Sequence, residues 1–264
     1  MLSQKPDSPV YTYIPKLKQP MLSDEQYKEL VKETEAFQDN LSNLIEAGKH
    51  AMSASSFGDA INAFSRANRL TQNDPFVLQQ LALATYKFKK PTELEALHAG
   101  LAIIKQLLPD DTNDPETLGI TGAIHKRLWL ATKNATHLDF AIQYYNRGYE
   151  VRRDYYNGEN LALCHDYRST LQDNAEEKIY DRICARKTRE AILASLIVLM
   201  NSPSFDDRSD KKWIYATAAN CCFALGNEEQ GMKHENQFFA LLPAEWEITT
   251  YRENKTHTLS FINQ

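Results

Sequence analysis

The stretch that decides the fold runs from Asp114 to Asp166: DPETLGITGAIHKRLW (114–129), a polar segment, then LDFAIQYYNRGYEVRRDYYNGENLALCHD (138–166). Gly122 stands on the first helical segment, Ala141, Tyr145 and Gly148 on the second, and Ala162 opens a third. Small residues at these steps let two helices approach closely, and a bulky side chain between them fills the space that remains. Helix pairs stacked in series are the architecture this pattern specifies.

Counting outward from that stretch fixes the unit. A tetratricopeptide repeat of about 34 residues carries a small residue in its first helix, a small-large-small trio in its second, and often a closing proline. Placing Gly48 at the first small position gives Ala60, Phe64 and Ala67 for the trio, in a unit over 41–72. The second unit has Ala82, then Leu97, Leu101, Ile104 and Pro109 beyond a KKP turn. The third has Gly122, Ala141, Tyr145 and Gly148, with a seven-residue insertion near Leu130–Thr136. In the fourth, opened by Ala162, counting back from Pro203 puts Ala191, Ser195 and Val198 on the second helix, with a turn near Asp173-Asn174 and both helices longer than usual. Ala219, Gly226 and Pro243 mark the fifth, whose second helix, with Gly231, Glu235 and Phe238, fits the trio poorly. The small residues recur at intervals of 34, 40, 40 and 57, each excess falling at a predicted turn.

The expected fold class is therefore all-α, a tetratricopeptide-type right-handed α-solenoid of antiparallel helix pairs. Ser23 and Gln26 match a capping box and predict a first helix over about 23–39. Residues 244–264, with Trp246, Tyr251, Leu259 and Phe261, are expected to cap the exposed end of the stack. Residues 1–20 carry four prolines, so 1–22 is expected to form an extended arm and 23–264 a single helical-repeat domain.

Bulk properties exclude several classes. With 42% hydrophobic and 25% charged residues the chain of 264 can build a core. A net charge of -5 would repel a phosphate backbone, so no nucleic-acid partner is expected. The longest apolar run, AILASLIVLM at 191–200, is half of the roughly 20 residues a membrane helix needs. No membrane partner is expected. The N-terminus lacks a basic-then-apolar leader, and four cysteines make no secreted disulfide framework, so a cytoplasmic location is expected.

The segments DPETLGITGAIHKRLW and HLDFAIQYYNRGYEVRRDYYNGENLALC resemble those of bacterial tetratricopeptide proteins with the TRAFs-binding domain, which also forms the central regulatory region of apoptosis signal-regulating kinases. The resemblance spans about 70–245 and is most specific at His125-Lys126-Arg127-Leu128-Trp129 and at Asp154-Tyr155-Tyr156-Asn157-Gly158 with Asn160. It implies a non-catalytic regulatory scaffold acting on a signalling or defence effector.

In a solenoid the first helix of each pair lines a concave surface. Register counting places Phe76, Gln79, Tyr86, Lys87, Glu116, Lys126, Arg127, Tyr156, Glu159, Asp166, Tyr167, Trp213, Asn220 and Phe223 on it, and the candidate partner-binding residues are Tyr86, Glu116, Lys126, Arg127, Tyr156, Glu159, Asp166, Tyr167, Trp213 and Asn220 of these with Asn160. Aromatics beside fixed charges are what peptide hot spots are made of. A protein or peptide partner is the leading expectation, with a second copy of the chain among the candidates, and it requires Lys126, Arg127 and Tyr156 to be solvent-accessible. Chaperone-tail capture is disfavoured, because Gly119, Ala123 and Thr217 stand where that clamp needs polar or cationic side chains.

Two other readings compete. In a small-molecule sensor, the insertions at 130–136 and 169–185 would close a pocket over the groove. A cryptic hydrolase would need His125, His165 and Cys164 to converge. The sequence has no glycine-rich phosphate loop, nucleophile elbow or paired metal-ligand spacing, so neither catalytic residues, metal nor cofactor are expected. The run EEKIYDRICARKTRE at 176–190 reads as a solvated face with internal ion pairs.

Overall fold

A computed structural model describes residues 23–262. The expected N-terminal arm lies outside the described residues. Those residues form eleven α-helices and two short 3-10 turns, with no strand among them. The helices are α1 (Asp24–Ser53), α2 (Phe57–Thr71), α3 (Pro75–Phe88), α4 (Glu93–Ile104), α5 (Pro115–Thr132), α6 (Ala135–Arg152), α7 (Tyr155–Ser169), α8 (Ala175–Met200), α9 (Lys211–Ala224), α10 (Glu228–Ala240) and α11 (Glu245–Ile262). The first ten pair in sequence as antiparallel neighbours and stack as a right-handed α-solenoid. No helix among the described residues is long and apolar enough to cross a membrane.

Local chemistry sets the helix starts. Asp74, Asp114 and Asp154 each accept a hydrogen bond from the backbone N–H three residues on, at 2.8–3.0 Å, satisfying a donor that the first turn leaves free. Pro75 and Pro115 occupy the first helical position, where a missing N–H costs nothing. Asn134 and Asn174 cap α6 and α8 in the same way.

The small-large rule then decides the packing. A Cβ on Gly48 would lie 2.5 Å from the Phe64 ring, and one on Gly122 would lie 3.0 Å from Tyr145. Both rings are fully buried. Each glycine therefore sets how closely the two helices of its pair approach, as the repeat count requires.

Four expectations are corrected. The first helix does not stop near residue 39, because nothing in AFQDNLSNL breaks a helix, and α1 continues as the first helix of the first pair. The third unit has no inserted loop: its extra residues lengthen α5 and α6 to 18 residues each, joined by Lys133 and Asn134 alone. In the fourth unit only α8, at 26 residues, is long, whereas α7 has 15. Its inward face is Asp181, Ala185, Arg189, Ile192 and Leu196, while Ala191, Ser195 and Val198 face outward and Val198 is 73% exposed. A proline beyond a long helix does not set its register, whereas the close contact of Gly158 with Ile192 does. The turn at 170–174 falls where it was expected.

The fourth correction concerns the C-terminus. Tyr251 joins Ala216, Ala219, Phe223 and Phe238 in closing the last pair, as a cap should. Yet α11 does more, because its opposite face lies across the mouth of the groove. Trp246 and Thr250 meet Lys87 of α3, Glu253 and Asn254 meet Arg127 and Lys126 of α5, and His257 and Phe261 meet Tyr167 of α7. Those contacts recur every three or four residues, which is one face of a helix.

Candidate functional site: a roofed cavity in the groove

Because α11 roofs the groove, the space beneath it is a cavity of about 620 Å³. Its walls come from the first helix of four successive pairs: Tyr86 and Lys87 of α3, Glu116, Lys126 and Arg127 of α5, Tyr156, Glu159 and Asn160 of α7, and Trp213 and Asn220 of α9. Trp246, Thr250 and Asn254 of α11 complete it. Cavities that hold small ligands span about 300–1,000 Å³.

The chemistry is graded across this space. One end is cationic. Lys126 Nζ donates to Asn160 Oδ1 at 2.7 Å and Asn254 Oδ1 at 3.3 Å, Arg127 pairs with Glu253 at 3.3 Å, and Lys87 donates to Thr250 Oγ1 at 2.6 Å. Burial first, and then the neighbouring Arg127 and Lys126 charges, hold the Lys87 ammonium well below its ordinary value. Burial also lowers Lys126. Around these cations stand rings: Lys87 lies 4.9 Å from the Trp246 centroid, and Trp213 and Trp246 are 5.7 Å apart.

The floor is polar and incompletely paired. Asn157 Oδ1, Glu159 Oε1 and Asn220 Oδ1 are buried with no hydrogen-bond partner in the protein, and so is Trp246 Nε1 of the roof. All four residues line the cavity. Buried polar atoms without partners carry a cost of about 1–3 kcal/mol each, so these four side chains are held around the cavity at a loss of stability. Behind the floor Arg189 Nη1 binds Asp166 Oδ2 at 2.6 Å. Burial raises the Glu159 carboxyl, opposed by the charges of Arg189 and Lys126.

Of the eleven candidate partner-binding residues nine line this cavity, and so does Lys87, whereas Phe76, Gln79 and Phe223, also expected on the concave surface, do not. Asp166 and Tyr167 do not either. Asp166 turns away to Arg189, and Tyr167 is sandwiched between Trp129, 4.5 Å distant, and His257 and Phe261 of α11. The expected accessibility of Lys126, Arg127 and Tyr156 is also corrected: Lys126 is 6% exposed and the other two are half-buried. Nor do the segments at 130–136 and 169–185 close the groove, since both belong to helices and short turns of the stack. Sequence counting missed Lys87's partner Trp246 and the whole α11 face, because the pattern of a helix does not state where it docks.

The other candidates separate. His125 Nδ1 lies 3.0 Å from His137 Nδ1, whereas His165 Nδ1 binds Asp181 Oδ1 at 2.8 Å, so the two imidazoles serve different helices. Burial pushes the Cys164 thiol up to about 12, the reverse of what a nucleophile needs. Among the described residues no group of three or more His, Cys, Asp or Glu is placed to hold a metal. In the 176–190 run, Arg186 and Glu190 form the expected surface pair, but Asp181 and Arg189 are buried instead of solvated.

This geometry defines a helical-repeat module with a partly roofed cavity of mixed polar and apolar lining. Residues 56–165 match the family described as Tetratricopeptide Repeats-Sensor. A thermophilic tetratricopeptide-repeat protein of Thermus thermophilus has a similar solved structure, with a TM-score of 0.55 at 15% identity over 83% of this chain and 98% of that one. No curated protein matches the chain. The fold is thus of tetratricopeptide type, the kind used by protein-interaction and sensing scaffolds.

Proposed function

We propose that the chain is a non-catalytic sensor module that binds a small molecule in the cavity beneath α11 and passes the occupied state to an effector. The observation that carries this reading is the roofed cavity itself, in which aromatic faces and a cluster of Lys87, Lys126 and Arg127 at one end come together from five helices. Ligand sites combine apolar walls with a few placed polar groups in this manner. The match of residues 56–165 to a family described as a sensor supports it, and the TRAFs-binding resemblance points to the same regulatory class.

A peptide partner in the groove is the weaker reading, because α11 already occupies the surface such a peptide would use. A thermal-shift screen of small polar metabolites tests the preferred one. At least one hit should raise the melting temperature of the wild type, and Trp213→Ala together with Asn220→Ala should abolish that shift. Hits that bind both proteins equally would overturn the assignment to this cavity.

A further inference from the structure

Lys87, Lys126 and Arg127 stand together at one end of the cavity, and Arg127–Glu253 is the only ion pair any of the three makes among the described residues. Lys126 and Lys87 are satisfied only by neutral oxygens, from Asn160, Asn254 and Thr250. Three basic side chains face one nearby carboxylate in a partly desolvated place, where an arriving anion would favour their charged forms and attract them more strongly than at the surface. Glu159, the other acid near Lys126, lies on the floor and is shared with Arg189.

The one compensating carboxylate comes from the roof. The Glu253 side chain is 39% exposed against 15% for Arg127, so it can leave for water while the guanidinium cannot. Lys87, Arg127, Trp246 and Thr250 also border a second, smaller cavity of about 220 Å³ that Glu253 lines. Lys87 and Arg127 are therefore reached from both sides of α11, and Lys126 from the larger cavity alone.

We propose that an anionic group of the ligand, a phosphate or a carboxylate, binds among Lys87, Lys126 and Arg127 in place of the Glu253 carboxylate, and that this exchange lifts α11 from the groove. The inference rests on the cavity being a ligand site and adds the charge of the ligand and the element that responds. Electrostatic exchange of this type needs no rearrangement of the stack, only the loss of contacts along one face of α11. Trp246 rides on that face, so its environment reports the event.

The test uses the whole chain with inorganic pyrophosphate as the phosphate probe and succinate as the carboxylate probe, against chloride at equal ionic strength. Tryptophan emission should shift to the red and saturate with one probe, and proteolysis at the exposed Leu241–Leu242 link should speed up with it. In Glu253→Gln, which lacks the internal competitor, half-saturation should fall by about tenfold. Lys126→Met and, as a second variant, Arg127→Gln should lose the response. The probe that saturates identifies which anion the site takes. If neither probe acts on Glu253→Gln, or if chloride acts equally, the anion exchange is wrong. The sensor reading is judged separately, by whether screen hits still bind the cavity of Glu253→Gln and still depend on Trp213.

Discussion

The first and fourth helix pairs share one architecture and differ in what they bury. Between α1, α2 and the adjoining α3 lie Ala51, Met52, Ala60, Phe64, Ala67, Val77, Leu81 and Ala84, and no charged side chain is buried there among the described residues. Between α7 and α8 the protein buries His165, Asp166, Asp181 and Arg189, with Glu159 beside them. Hydrophobic packing alone holds a pair together, as the first shows, so the charges of the fourth are not needed for the fold. Arg189 and Asp166 stand beside Glu159 of the cavity floor, whereas Asp181 pairs with His165 and Arg168 farther along α7.

The largest expected effect breaks the fourth pair. Arg189→Met leaves Asp166 and Glu159 buried without their cation, and losing one member of a buried ion pair costs about 3–5 kcal/mol. The melting temperature should fall by roughly 10 °C. Adding Asp166→Leu should recover at least half of that, since a pair replaced by apolar side chains is close to neutral. A single substitution that leaves the melt unchanged would erase the contrast between the two pairs.

An intermediate case is the third pair, where burial first and then the adjacent His137 push His125 down to about 4. The unfolded imidazole protonates near 6.5, so between these values the unfolded chain binds the extra proton and acidification favours it. Above about pH 6.5 the residue contributes no pH dependence. Urea titrations at pH 7.5 and 4.5 should show that His125→Gln removes about 2–3 kcal/mol of the acid-induced loss. Equal losses in wild type and variant would show that this histidine is not the group that senses acid.

The smallest effect sharpens the first pair. Gly48→Ala places a methyl 2.5 Å from the Phe64 ring, against 3.0 Å from Tyr145 for Gly122→Ala. Overpacking costs about 1–3 kcal/mol, partly offset by the roughly 1 kcal/mol that alanine gains over glycine in a helix. Gly48→Ala should therefore lose about 1–2 kcal/mol and Gly122→Ala less, in the same urea titration. The reverse order would mean that the tyrosine contact, not the phenylalanine one, sets the tighter helix spacing.

How much of this was legible follows from range. Gly48 with Phe64 and Gly122 with Tyr145 are contacts within one helix pair, and their sequence spacing carries the geometry directly. The wall of the cavity could be counted too, since Lys126, Arg127, Tyr156, Trp213 and Asn220 sit at repeating positions of stacked helices. Two things escaped. The inward face of α8 follows from its contact with Gly158, and counting from Pro203 across 26 helical residues accumulated error. The roof escaped because the groove-facing residues of α11 mix Trp246, Thr250, Asn254, His257 and Phe261. That mixture has the polarity of an ordinary surface helix, and only the three-dimensional partner explains it.

One consequence of the roof reaches the whole molecule. The inner face of α11 touches α3, α5 and α7, and its outer face is fastened to the last pair through Lys255 to Glu235 and Lys212 to Glu247. It is a chord drawn across a bow. A superhelix strung in this way is held at its pitch by the chord, so once the chord slackens the four pairs it spans are free to open or tighten.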